Sequence, residues 1–305
     1  MELRVLQYFL AVTREQSISG AAESLHLSQP TLSRQLKDME DELGKQLLIR
    51  GNRKISLTDE GMILRKRAEE IMELVRKTEQ EITLADDIIS GEIHIGAGET
   101  EGVHYLTRAA GLLQKDYPGI RYHISSGDTA DVSEQLDKGL LDFGLLFDPI
   151  DKSRFDFISL PVRDVWGVLM RKDSALAGKE SVSPADLVNQ PLIVNRSIRE
   201  NDLISGWFNK SPKELHIVAT YNLLYNASLM VKDGLGYALG LDKIINTAGS
   251  ELCFRPLSPA VTAGMNVVWK KYQILSKPAE KFLLKLQEIS SCSGVSGLLL
   301  LNKTS

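Results

Sequence analysis

The stretch Ser17-Ile18-Ser19-Gly20-Ala21-Ala22-Glu23-Ser24-Leu25-His26-Leu27-Ser28-Gln29-Pro30-Thr31-Leu32-Ser33-Arg34-Gln35-Leu36-Lys37 decides how the N-terminal part of the chain is read. It predicts two short helices joined by a tight turn. Ala21 and Ala22 are small enough for one helix to approach the other, and Leu25 and Leu27 flank the turn. Ser19 is the expected cap of the first of these helices and Ser28 that of the second. Pro30 suits a first turn, and Leu32, Leu36 and Met39 recur at helical spacing. The other face of the second helix carries Gln29, Thr31, Ser33, Arg34 and Lys37. Such donors contact phosphates and base edges, so the pair reads as a DNA-reading helix-turn-helix.

The flanks extend this reading. Leu3, Leu6, Phe9, Leu10 and Thr13 predict a supporting amphipathic helix ahead of the pair. Gly44 ends the second helix. Two short apolar runs, 46–49 and 55–57, then flank a Gly51-Asn52 turn, which predicts a hairpin with Arg50, Arg53 and Lys54 at its tip. A basic hairpin beside a helix-turn-helix makes a winged module whose tip can reach phosphates or a minor groove. Thr58 caps a long helix with Asp59 and Glu60 in its first turn. Along it Leu64, Ala68, Ile71, Val75, Thr78, Ile82, Ala85 and Ile89 form a heptad seam, and about 30 residues would span roughly 45 Å. The seam is read as a dimerisation face, the competing reading being a helix packed on its own domain.

Ser90-Gly91 breaks that helix, and short apolar strands then alternate with helical patterns. Strands are expected at 93–96, 122–125, 143–147, 157–160 and 165–170, with helices at about 102–116 and 132–140. A second set follows, with strands at 192–194, 215–218 and 237–239 and helices near 200–209 and 222–233. A strand at 265–269 and a helix at 278–289 close the pattern, and 290–305 is expected to fray. This β-α-β-α-β order predicts two Rossmann-like α/β lobes with a cleft at the carboxyl ends of the strands. The expected boundaries are 1–58 for the winged domain, 59–90 for the linker helix and 91–305 for the two-lobed domain. Lobe I covers about 91–162 and 266–290, lobe II about 163–265, and 291–305 is a tail.

The 305 residues carry a net charge of -4, so any nucleic-acid contact rests on local basic groups rather than on a globally positive surface. Cys253 and Cys292 form no CxxC, and neither a disulfide framework nor a zinc set is expected. His26, His94, His104, His123 and His216 look scattered. Glu101 and His104, three apart, give a weak hint of acid/base or metal chemistry. No nucleophile elbow, phosphate loop or complete dinucleotide fingerprint is found, so no cofactor is expected and the chain is read as a non-enzyme. No apolar run reaches the roughly 20 residues of a membrane span, and no leader pattern opens the chain, which makes the cytoplasm the expected compartment. A two-lobed small-molecule-binding module, or an enzyme of that fold, is the alternative.

In its order of parts, and most closely in Ser17 to Arg34, Leu47 to Arg50 and Leu57-Thr58-Asp59-Glu60-Gly61, the chain resembles the LysR-type transcriptional regulators of bacteria. Residues 231–238 look like that family's second-lobe helix-turn-strand segment, and Leu48 stands where the family often has phenylalanine. The resemblance implies an α/β effector domain like the type 2 periplasmic binding proteins. It also implies a homodimer extending to a homotetramer, a small-molecule effector in the interlobe cleft, and contact with RNA polymerase. It places DNA contacts at Gln29, Pro30, Ser33, Arg34 and Arg53, within the wider candidate set Ser28, Thr31, Lys37, Arg50 and Lys54. It places effector contacts at the strand ends: Glu99, Thr100 and Glu101; Ser126, Asp128 and Thr129; Asn195 and Arg196, with Ser197 beside them; Tyr221 and Asn222. Thr100 is the single residue most expected to hold a polar group of the effector. Arg196 either meets an effector carboxylate or pairs with Glu99 or Glu101.

Overall fold

The computed structural model describes residues 1–51, 54–83, 89–196 and 206–301, with the backbone alone at 80, 81, 83, 212 and 292–301. Two compact units result, Met1–Ala85 and Asp86–Ser305.

In the first unit, helix α1 (Leu3–Glu15) leads to α2 (Ile18–Ser24) and α3 (Gln29–Leu43). The buried stripe of α1 is Val5, Leu6, Phe9, Ala11 and Val12, whereas Leu3 is exposed and Thr13 half-buried. The centre of the expected stripe, Leu6, Phe9 and Leu10, does pack on the core, while its ends differ: Leu3 turns outward, Thr13 only partly inward, and Val5, Ala11 and Val12 widen the buried face. The cap of α2 is Ser17, whose hydroxyl accepts the Gly20 amide at 3.2 Å. Ser19 lies inside the helix, a correction to the sequence reading. Ser28 caps α3 by accepting the Thr31 amide, and Gly44 ends it with φ +64°. Ala21, Ala22, Leu32, Leu36 and Met39 meet in one core with Phe9.

Strands β1 (Leu48–Arg50) and β2 (Ile55–Leu57) pair antiparallel, Leu48 opposite Leu57. Leu48 is fully buried, so it fills the wing base where a larger aromatic is common in the resembled family. Helix α4 (Asp59–Thr83) follows, with the Thr58 hydroxyl accepting the Gly61 amide at 3.0 Å. Its apolar seam divides: Leu64, Ala68 and Ile71 pack into the winged core, while Ile82 is 77 % exposed. Ala85 lies outside the described residues, and Ile89 packs in the second unit.

The second unit is built on one sheet, nine-stranded among the described residues, in the order β4-β3-β5-β11-β6-β9-β7-β8 with β10 on β6. Strands β3 (Gly91–Ala97), β4 (Ile120–Ser126) and β5 (Phe143–Phe147) run parallel. Helices α5 (Val103–Asp116) and α6 (Thr129–Asp137) connect them. The two strands expected at 157–160 and 165–170 are one, β6 (Phe155–Arg171). Pro161 does not break it, because it falls where the pairing with β11 (Thr262–Lys270) shifts register between Gly264 and Asn266. Strand β6 pairs with β11 as far as Val165 and, from Trp166, with β9 (Tyr237–Leu241), so it crosses from lobe I into lobe II.

Lobe II adds α7 (Pro184–Leu187), β7 (Leu192–Asn195), β8 (Ile217–Tyr221), α8 (Leu224–Lys232) and β10 (Leu252–Pro256). Neither α7 nor β10 was expected: both are short, without alternation, and owe their form to docking on β6 and its neighbours. The helix expected near 200–209 falls largely outside the described residues. Helix α9 (Lys277–Leu301) runs past the expected end at 289, since Ser and Gly weaken a helix there but no proline stops it. Phe282 and Leu286 of α9 seat on Ile93, Ile95 and Phe143 in the lobe I core.

Candidate functional site

Helix α3 buries one face and leaves the other bare. Ser28, Gln29, Pro30, Thr31, Arg34 and Lys37 are exposed and Ser33 is half-buried. The Arg34 side chain is 83 % exposed, with only a loose approach of 3.9 Å to Asp38. The Ser28 and Thr31 hydroxyls hydrogen-bond each other at 2.7 Å. At the wing, Arg50 and Lys54 are exposed; Arg53 lies outside the described residues. Glu40, on α3, accepts the Leu47 and Leu48 amides at 2.7 and 3.0 Å, tying the wing to the recognition helix. Lys45 pairs with Glu60 at 3.2 Å. The amide at the start of α4, then Lys45, hold the Glu60 carboxyl below its usual value. Glu40 was missed in the sequence because its partners are backbone groups. Together, these features are those of a DNA-reading winged helix.

In the second unit a cavity of about 400 Å³ opens at the carboxyl ends of β3 and β4. Glu99, Thr100, Glu101, His104 and Ser126 line it from lobe I, and Lys243 and Ile244 from lobe II. Thr100 is 7 % exposed; its hydroxyl donates to Asp164 and accepts the Gly102 amide at 3.1 Å. Asp164, on the lobe-crossing strand, is buried. Burial raises its carboxyl above the ordinary range, against the Thr100 hydrogen bond. Sequence reasoning missed Asp164, since only the fold places it beneath Thr100. Glu99 accepts the Leu224 amide from lobe II. His104 sits 3.9 Å from Glu101 but is 80 % exposed, an ordinary surface pair.

Several expected effector contacts lie outside this cavity's lining. Tyr221 is buried, and its hydroxyl donates to the Leu239 carbonyl at 2.6 Å. Burial, then the Glu99 carboxylate, push that phenol well above its usual range. Asn222 accepts the Leu223 amide at 3.0 Å. Asp128 caps α6, Thr129 is the helix's first residue, and Asn195 ends β7. Arg196 pairs with neither Glu99 nor Glu101. Its guanidinium donates to Asp128 at 2.8 Å and to Asp131, a fork that ties the residue following β7 in lobe II to the first turn of α6 in lobe I. Burial pushes the Asp128 carboxyl up, but the Asp131 amide and Arg196 outweigh it and hold it low.

The five histidines are not all scattered. Parallel register sets His94 of β3 opposite His123 of β4, with Glu92 on the same face, a grouping invisible without the strand order.

A winged DNA-reading unit followed by a two-lobed pocket domain defines the class of ligand-responsive regulators. Comparison with known proteins agrees. Residues 3–62 match the family described as "Bacterial regulatory helix-turn-helix protein, lysR family", and residues 87–289 match "LysR substrate binding domain". The chain belongs to the LysR family, with a regulatory helix-turn-helix domain followed by a LysR substrate-binding domain. It is 33% identical over 195 residues to the DNA-binding transcriptional dual regulator OxyR of Escherichia coli K12, covering 64% of this chain and 63% of the relative. The chain thus matches under two thirds of that relative's length. It is 28% identical to the Hca operon transcriptional activator HcaR of the same organism, over 94% of this chain and 98% of the relative. The crystal structure of HinK, a LysR family regulator from Pseudomonas aeruginosa, superposes with a TM-score of 0.52 at 26% identity, covering 94% and 97% of the two chains. These relatives are regulators rather than enzymes, and among the described residues no helix is long and apolar enough to cross a membrane.

Proposed function

We propose that this chain reads paired DNA half-sites as a dimer, acts on transcription through RNA polymerase, and is set by a small polar effector between its lobes. The observation that carries the DNA reading is the bare face of α3. A buried Leu32-Leu36-Met39 stripe fixes the helix, while Gln29, Thr31, Arg34 and Lys37 stay exposed, Arg34 with only a loose approach to Asp38. In the proposal Gln29, Ser33 and Arg34 meet base edges. Ser28, Thr31, Lys37, Arg50 and Lys54 meet phosphates. Exposed Ile63, Leu74 and Ile82 on α4 are the apolar side chains that a second copy would cover. Arg34→Ala is expected to weaken binding to the DNA upstream of the chain's own gene by about 1–3 kcal/mol, as for loss of a base contact. An unchanged mobility-shift titration overturns the assignment.

The pocket supports the effector half. Glu101 and His104 face Lys243 across it, which suits a small molecule bearing both a cationic and an anionic or acceptor group. Arg196 is already paired with two carboxylates, so Lys243 is the pocket's anion contact. Other relatives carry the name hydrogen peroxide-inducible genes activator, which raises oxidation as a second input. Of the two cysteines, Cys253 is 7 % exposed, an interior setting rather than that of a reactive thiolate. A thermal-shift screen of the full chain against a metabolite library tests the pocket. A true effector raises the transition by mass action, and Lys243→Ala or Glu101→Gln abolishes the rise. A hit indifferent to both substitutions refutes this placement.

A further inference from the structure

Towards the amino-terminal half of β3, among residues that do not line the pocket, three side chains converge. Glu92 and His94 stand two residues apart, hence on one face of the strand, and register brings His123 of the edge strand β4 beside His94. The imidazole rings stack with centroids 4.8 Å apart and planes at 15°. Glu92 Oε2 lies 3.4 Å from His94 Nε2 and 3.7 Å from His123 Nε2. The three donor atoms are all within 4.8 Å of one another. A tetrahedral ion with bonds of about 2.0–2.1 Å holds neighbouring ligand atoms roughly 3.3–3.4 Å apart, so the two carboxylate-imidazole edges are near their final length.

We propose that Glu92, His94 and His123 bind a late first-row divalent transition ion of the Zn²⁺ class. Two imidazoles and one carboxylate match that class; Ca²⁺ and Mg²⁺ require a mainly oxygen shell. An ion pair alone would not use both rings, because two stacked imidazolium charges repel, whereas a metal takes both in the neutral form. The setting is partly built. Glu92 and His94 side chains are 13 % and 14 % exposed, and His123, at 50 %, supplies the entry path. The backbone of β3 is pinned at His94: its amide donates to the Asp142 carboxylate at 2.7 Å, and its carbonyl accepts the Asp142 amide at 2.8 Å. Three protein ligands leave a fourth position to water, the pattern of an exchangeable site rather than a closed structural one. His94 lies three residues of strand, about 10 Å, from Ala97 on the pocket rim, and His123 adjoins Ile124, which lines the pocket but alternates to the other face of β4. The bound ion clamps edge strand β4 to β3, and the site stands or falls independently of the effector reading.

The test uses the untagged full chain, stripped with a chelator and titrated with Zn²⁺ against a chromophoric competitor. Co²⁺ serves as an absorption probe of coordination. The expected result is one ion per chain, a tetrahedral Co²⁺ spectrum, and at least about tenfold weaker binding in His123→Ala and in Glu92→Gln. His104→Ala and His216→Ala should bind like the parent. His123 is half-exposed, so its removal leaves the core intact, and circular dichroism checks this. Failure of the parent chain to compete for Zn²⁺, or binding unchanged in both His123→Ala and Glu92→Gln, overturns the proposal.

Discussion

Gly61→Ala puts the physical account of the N-terminal unit at risk, because two effects of opposite sign meet there. Gly61 sits in the first turn of α4, where alanine is the better helix former by about 1 kcal/mol. Yet a Cβ at this position would lie 2.2 Å from the Leu47 carbonyl oxygen, 3.1 Å from its carbon and 3.2 Å from Leu57 Cδ2. Relief to an ordinary C···O contact of about 3.3 Å requires a shift of roughly 1 Å between the helix and the wing base. That shift strains the hydrogen bond from the Thr58 amide to the same Leu47 carbonyl, now 3.1 Å long. Overpacking costs about 1–3 kcal/mol and the hydrogen bond about 0.5–1.5 kcal/mol. After the helix-propensity gain, a net loss of about 1–3 kcal/mol remains, on the order of 10 °C for a unit this small. Trp166, Trp207 and Trp269 all lie in the second unit. Tryptophan fluorescence therefore follows that unit alone, while far-ultraviolet circular dichroism follows both. In the full-length variant, the circular dichroism melt should gain an early phase with no counterpart in fluorescence. An unchanged or raised melting curve would refute the close-approach argument and leave helix propensity in command.

Three further outcomes follow from the second unit. Asp164→Asn should raise its melting temperature at pH 7, with the gain shrinking towards pH 4. Burial raises this carboxyl above 3.8, so the parent chain is favoured while it is protonated and loses that stability as pH rises through the folded value. A pH-independent gain, or none, contradicts this. Arg196→Ala should move the Asp128 carboxyl titration, followed by NMR, to higher pH, though the Asp131 amide keeps it from a full return. The same shift should fade in the parent at high salt, and an unmoved titration removes the interlobe fork. Tyr221→Phe should destabilise the unit by about 1–2 kcal/mol, the cost of leaving the Leu239 carbonyl without its donor. If instead a screened effector loses affinity while stability holds, Tyr221 belongs to the pocket after all.

What the sequence made legible was local. Ser28, Pro30 and Gly44 act within their own helix ends, as does Thr58 in accepting the Gly61 amide, so these caps and turns could be read in order without knowing the fold, whereas the bonds from Thr58 back to Gln46 and Leu47 could not. The seam of α4 was half legible. Periodicity marks an apolar stripe but not its partner, and Leu64, Ala68 and Ile71 found theirs in the winged core while Ile82 did not. In the sensor the βα order was readable, and with it the carboxyl-end location of the pocket. The chemistry of the site was less so, because it depends on contacts between residues far apart in sequence. Arg196 reaches back 68 positions to Asp128, Thr100 forward 64 to Asp164, and Tyr221 turns inward to Leu239. Each is a polar group whose partner is chosen by strand order. The same holds for His94 and His123: twenty-nine positions of chain hide a pair that parallel register sets side by side. Polar residues at strand ends therefore divide into those the pocket exposes, such as Glu101 and Lys243, and those the fold itself consumes. Burial of the Tyr221 hydroxyl, not its position after a strand, places it in the second group, whereas Thr100 stands in both, lining the cavity while its hydroxyl bonds Asp164.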